Sequence, residues 1–286
     1  TSTTPILTIA EGKATIRLNR PAEHNRLEPP DLEALMEIYD RIAGDGSIRV
    51  LVITGTGKSF SSGFHIGALK ERKEGRQKEY DPNAFEKMVD KLEDLRVPTI
   101  AALNGGVYGG STDLALACDF RIAASSVSIG LPEIQFGALP AAGGPQRLLR
   151  LVGPARTKYL VMTGDAIPAS RAAELGLVDE CVDAANLHTR GLEFAERLAL
   201  RAPYALHATK FLVNRGINMP LSDALELDYE VMEKMATPEE RRAEMQKAAA
   251  RSETYAKIFA QASRGWQNGL VMPDDERAIR RWHAPG

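Results

Sequence analysis

The sequence predicts a mixed α/β core followed by a helical region, and three observations carry that reading. Short β-type runs alternate with helix-like segments through the first half of the chain. Glycine-rich junctions separate them. Beyond about Gly153 the runs become almost wholly helical.

Taken in order, residues 6–9 and 14–18 are β-type runs joined through Glu11-Gly12, the pattern of a hairpin. Pro29-Pro30-Asp31 then opens a helix, with Leu32, Leu35, Met36, Tyr39 and Ile42 on one face at i, i+3, i+4 spacing. Residues 50–53 form a continuous apolar run closed by Thr54-Gly55-Thr56-Gly57, as expected of a buried strand entering a turn. The cycle recurs with 99–103 as strand, 112–117 as a helix start and 120–123 as strand. The intervening stretch 70–90 is charged and reads as loop. Farther on, 156–162, 170–174, 185–200 and 203–215 are predicted helical, interrupted by a strand over 178–182. Segments 222–235 and 238–260 are helical, highly charged and carry long apolar stripes. The tail 263–286, with Gly, Pro, Trp266 and Trp282, reads as an irregular arm.

Composition narrows the function. At 286 residues and 44% hydrophobic content, the chain is long enough to bury a large core. A net charge of −2 supplies no global basic field, so neither nucleic acid nor an anionic membrane is an expected partner. Cys118 and Cys181 form no disulfide framework and no metal-ligand spacing. No apolar run approaches the roughly 18 residues of a membrane span, and Thr1-Ser2-Thr3-Thr4-Pro5 lacks the pattern of a secretion signal. The expectation is a reduced, cytoplasmic protein without metal.

Three motifs are candidates for chemistry. The first, Asn104-Gly105-Gly106-Val107-Tyr108-Gly109-Gly110-Ser111-Thr112-Asp113, links a buried strand to an apolar helix. Glycines there let the backbone approach a ligand, and the first amides of a helix lack internal partners at the positive end of its dipole. The second, Lys58-Ser59-Phe60-Ser61-Ser62-Gly63-Phe64-His65-Ile66, follows the 50–53 strand. Its Gly-Thr-Gly-Lys-Ser start suggests a phosphate loop, but that loop needs a glycine where Val52 stands, and no amphipathic helix follows Ser59. The third is Ile129-Gly130-Leu131-Pro132-Glu133-Ile134, with Gly137-Ala138-Leu139-Pro140-Ala141-Ala142-Gly143-Gly144 behind it. A carboxylate in so apolar a stretch is costly unless it is paired, used in catalysis, or turned to solvent.

In order, spacing and flanks, these islands resemble the crotonase (enoyl-coenzyme A hydratase/isomerase) superfamily over about residues 6–259. Leu18-Asn19-Arg20-Pro21, Pro98-Thr99-Ile100-Ala101-Ala102-Leu103-Asn104-Gly105, Ala117-Cys118-Asp119-Phe120-Arg121-Ile122-Ala123, Thr163-Gly164 and Gly176-Leu177-Val178 extend the likeness. The resemblance implies a spiral of repeated β-β-α units over 1–200 holding the thioester site. A helical region for trimer contacts or site cover would follow over 201–262, then the arm 263–286. The expected assembly is a homotrimer or a dimer of trimers.

It further implies an acyl-coenzyme A enzyme that hydrates or isomerises an unsaturated thioester, with coenzyme A as part of the substrate and no separate cofactor. The amides of Phe64 and Gly110 would form an oxyanion hole for the thioester enolate, each donor worth about 3–4 kcal/mol. Backbone at Phe64, His65, Ile66, Gly67 and Gly110 would line the coenzyme A groove. Glu133 and Asp113 would be the acid–base pair, Asp113 standing where hydratases carry a longer Glu. Ser111 replaces the usual third glycine and is expected to crowd its turn. Dienoyl-coenzyme A isomerases have a further acid where Ala141 stands, which argues against that subtype. Carbon–carbon cleavage or hydrolysis on the same fold, and a non-catalytic or RNA-binding relative, are the alternatives.

Overall fold

The computed structural model describes residues 3–64, 81, 83–253, 256 and 257. Strands β1 (Ile6–Ala10) and β2 (Lys13–Leu18) form the expected antiparallel hairpin. Glu11 and Gly12 both take positive φ to close it. Helix α1 (Pro29–Gly44) buries Leu32, Leu35, Tyr39 and Ile42, the face the periodicity marked. It starts with a reciprocal capping box in which Asp31 accepts from the Glu28 amide at 2.8 Å. The buried Asp31 is also paired with Arg20 at 3.0 Å, which offsets the cost of desolvating it.

Strands β3 (Val50–Gly55), β4 (Thr99–Leu103), β6 (Phe120–Ala124) and β9 (Glu180–Val182) complete a six-stranded sheet in the order β1-β2-β3-β4-β6-β9. From β2 onward every pair is parallel. The residues of β4 are buried throughout, as a central parallel strand covered on both faces requires.

A second, smaller sheet positions the site. It consists of β5 (Val107–Tyr108), β7 (Ser128–Gly130) and β8 (Ile167–Pro168). Val107 pairs in parallel with Ile129 on one side and, through an isolated bridge, with Ser61 on the other. Three successive passes of the chain therefore stack at residues 61, 107 and 129. Each pass runs from the large sheet into the small one, the spiral of β-β-α units the sequence predicted.

The remaining helices are α2 (Ala84–Glu93), α3 (Gly110–Leu116), α4 (Gly144–Thr163), α5 (Ala169–Glu174), α6 (Leu187–Ala199), α7 (Pro203–Gly216), α8 (Leu221–Lys234) and α9 (Pro238–Arg251). Helix α2 corrects the loop expectation for the end of 70–90. It buries Phe85, Met88, Val89 and Leu92 at helical spacing, beneath a charged outer face. Helix α4 begins well before the expected 156 and breaks at Gly153, where φ is 78° ahead of Pro154. Extended Ser252 interrupts the single helix expected over 238–260.

The chain divides into two compact units, Thr1–Asn218 and Met219–Gly286. Helix α7 stays with the first unit because Ala208 is buried and Lys210 pairs with Asp119 at 2.9 Å. The expected arm 263–286 lies outside the described residues.

Candidate active site

Three residues past the stacked position on the first pass lies Phe64, and three past it on the second lies Gly110. The turn at 61–64 is fixed from below: the Ser61 hydroxyl donates to the Asn25 carbonyl at 2.7 Å, and the Leu27 amide donates to the Gly63 carbonyl at 2.8 Å. Gly63 has φ of 86°, and a β-carbon there would stand 2.9 Å from the Gly110 nitrogen. Conversely, a β-carbon on Gly110 would stand 3.2 Å from the Phe64 nitrogen. The two turns meet backbone to backbone, and only glycine permits the approach. Gly110 opens α3, so its amide has no carbonyl within the helix to donate to. The Phe85 ring lies beside both turns, 5.6 Å from the Phe64 ring.

The third pass brings in Glu133, at the start of a 3-10 turn spanning Pro132–Phe136. Two hydrogen bonds to the Gly130 carbonyl, from the Gly109 amide at 3.1 Å and the Thr112 hydroxyl at 2.8 Å, hold this pass against the second. Gly109, with φ of 57°, leaves room for the Glu133 carboxylate: a β-carbon there would stand 2.9 Å from Oε1. Asp113, one turn into α3, is buried, and its Oδ1 occupies the space a β-carbon on Gly144 would need.

Oδ1 of Asp113 and Oε2 of Glu133 are both buried without a hydrogen-bond partner. Left in that state, each costs about 1–3 kcal/mol. Burial first, and then the Glu133 charge, raise the Asp113 carboxyl well above the ordinary carboxylate range, against an opposing pull from Arg147. Burial also raises Glu133, against a bond from its own backbone amide. The helix dipole at the start of α3 would lower Asp113, so desolvation outweighs it here.

Phe64, Gly110, Asp113 and Glu133 therefore come together. His65, Ile66 and Gly67 lie outside the described residues. Ser111, expected to crowd its turn, is fully buried there, its hydroxyl bonded to the Ser61 carbonyl at 2.7 Å. Three further contributors join them; Gly144 lies in the third motif, while Phe85 and Arg147 had no signal in a single sequence. Phe85 packs beside the Phe64 and Gly110 turns, Gly144 makes room for Asp113, and Arg147 places a cation near Asp113. Arg147 is itself held by Glu93 at 2.7 Å, Asp90 at 2.8 Å and the Ala142 carbonyl. His24 bonds Ser59 at 2.9 Å, in keeping with a packing role.

The family model described as enoyl-CoA hydratase/isomerase matches residues 8–256. The short-chain-enoyl-CoA hydratase of Clostridium acetobutylicum is 37% identical over 224 residues, covering 77% of this chain and 85% of its own. The crotonyl-CoA hydratase of Syntrophomonas wolfei is 34% identical, covering 78% and 86%. The crystal structure of an enoyl-CoA hydratase from Bacillus anthracis superposes with a TM-score of 0.75 at 37% identity, over 80% of this chain and 90% of that one.

Proposed function

The chain belongs to the enoyl-CoA hydratase/isomerase family, and on that premise we propose that it adds water to, or moves the double bond of, an unsaturated acyl-coenzyme A. The observation that carries hydration as the main activity is the pair of buried, unpartnered oxygens, Asp113 Oδ1 and Glu133 Oε2, beside two crossed backbone turns. Groups so costly to bury fit a site that supplies them with water and substrate.

The thioester oxygen binds between the amides of Phe64 and Gly110. Water attacks C3, and the π electrons move through C2 onto that oxygen as an enolate. One carboxylate of the Asp113–Glu133 pair takes the proton lost by the water, and the other, protonated, returns one to C2. The pair gains one proton and loses one, and the substrate gains one water. Isomerisation needs only one of these groups, moving a proton from C2 to C4. Neither reaction transfers electrons to an acceptor, so coenzyme A enters as part of the substrate and no separate cofactor is required.

Carbon–carbon cleavage needs a single base and is less well supported, since it leaves the second buried acid without a task. An assay of crotonyl-coenzyme A beside a hydroxyacyl thioester and a β-diketone tests the choice. Loss of the conjugated enoyl absorbance is expected, and turnover confined to the other two compounds would overturn the reading.

The assembly proposed is a homotrimer or dimer of trimers in the cytoplasm, with helices in 201–262 serving contacts or site cover. Phe136, Leu139 and Met162, at least 71% exposed in this chain, support self-association. Among the described residues no helix is long and apolar enough to cross a membrane.

A further inference from the structure

We propose that the Ser111 hydroxyl is the strut that sets the spacing of the two oxyanion donors, a positioning role at a place where the family pattern has glycine. The proposal rests on the oxyanion reading above. Ser111 is completely buried, and its Oγ lies 2.7 Å from the Ser61 carbonyl, 2.8 Å from the Tyr108 amide and 2.9 Å from the Tyr108 carbonyl. The amide donates to Oγ, and the single hydroxyl proton goes back to a carbonyl, the shorter contact being to Ser61.

One oxygen thus spans both passes: Ser61 stands three residues before Phe64, and Tyr108 two before Gly110. On the far side of the first turn the Ser61 hydroxyl donates to the Asn25 carbonyl at 2.7 Å and accepts from the Gly63 amide at 3.0 Å. The two serines form one ladder from residue 25 through 61 to 111, and the turn carrying Phe64 is clamped between its rungs. The backbone bridge Ser61 to Val107 brings the passes into register but lies ahead of both donors. The Ser111 bond ties the second turn to the first by a side chain, and glycine cannot make it.

An oxyanion donor must sit where the negative oxygen will form, so a small widening of the gap falls on the transition state more than on the bound substrate. Removing a whole donor costs about 100-fold or more. Loosening the pair without removing either is expected to cost about 10-fold in kcat, with KM for crotonyl-coenzyme A changed by less than about 2-fold.

The experiment compares wild type with Ser111→Ala, Ser111→Gly and Ser111→Thr. It measures kcat and KM together with the carbon-13 shift of bound butyryl-coenzyme A labelled at the thioester carbonyl, which moves downfield as the carbonyl is polarised. Ala and Gly are expected to bind with a smaller downfield displacement and the reduced kcat, and Thr, which keeps the hydroxyl, to lie closer to wild type. A full displacement and full kcat in either Ala or Gly would overturn the proposal. Should Ala fail to fold, Gly decides it. A wild-type spectrum with no displacement would bring down the oxyanion reading itself, and the strut with it.

Discussion

At the scale of single residues, the site is built from groups the fold would be more stable without. Asp113 and Glu133 hold their protons more tightly folded than unfolded. Their contribution to stability is therefore least unfavourable in acid and worsens as pH rises from the ordinary carboxylate range through the raised folded values. Asp113→Asn and Glu133→Gln should each raise the melting temperature at neutral pH, by about 2–4 °C for every kcal/mol gained, with the gain shrinking toward pH 4. Melting curves across pH check this, and a gain that grows in acid would contradict the assigned shifts. Glu133 and Asp113 were legible in the sequence as acids at motif positions. The burial of Asp113 was not, because it depends on Gly144, 31 positions away, leaving space for Oδ1. Gly144→Ala should disable the site, since its β-carbon would overlap that oxygen. Hydration by the variant within about 10-fold of wild type would show that the acid sits elsewhere in the working enzyme.

At the scale of elements, the candidate site depends on three passes stacked by a sheet whose strands have only two or three residues. Such strands are too short to display a period, so 107–108, 128–130 and 167–168 carry no strand signal while 50–53 and 99–103 do. Helix α2 is masked for another reason. Its buried face has the right spacing, but Glu86, Lys87, Asp90 and Lys91 dominate its composition. The glycines at the crossing were legible as permissive backbone, though not as mutual contacts. Gly63→Ala tests the crossing as an element. It places a side chain at φ of 86° and a β-carbon 2.9 Å from the Gly110 nitrogen. We expect kcat to fall by about 100-fold, as for loss of a donor, while the folded circular dichroism signal is retained. Near-wild-type kcat would mean the two turns do not act together.

At the scale of the whole molecule, the family could be read because motif islands spread from Leu18 to Val178 keep one order. Helix α7 belongs to the first compact unit through what it packs on, the buried Ala208 and the Lys210–Asp119 pair. Phe136, Leu139, Tyr159 and Met162 are each at least 60% exposed. Light scattering at micromolar concentration should give about three or six times the 31.2 kDa chain mass, and a stable monomer would contradict the proposed assembly. The central claim is that two carboxyls, each with a buried and unpartnered oxygen, act on one water, and a double-mutant cycle in crotonyl-coenzyme A hydration tests it most directly. Asp113→Asn and Glu133→Gln should each lower kcat by about 100-fold or more with thioester binding nearly intact, and the double variant should be little worse than the poorer single, because groups working as a unit do not add. Hydration by Asp113→Asn at close to the wild-type rate would contradict the account and leave Glu133 acting alone.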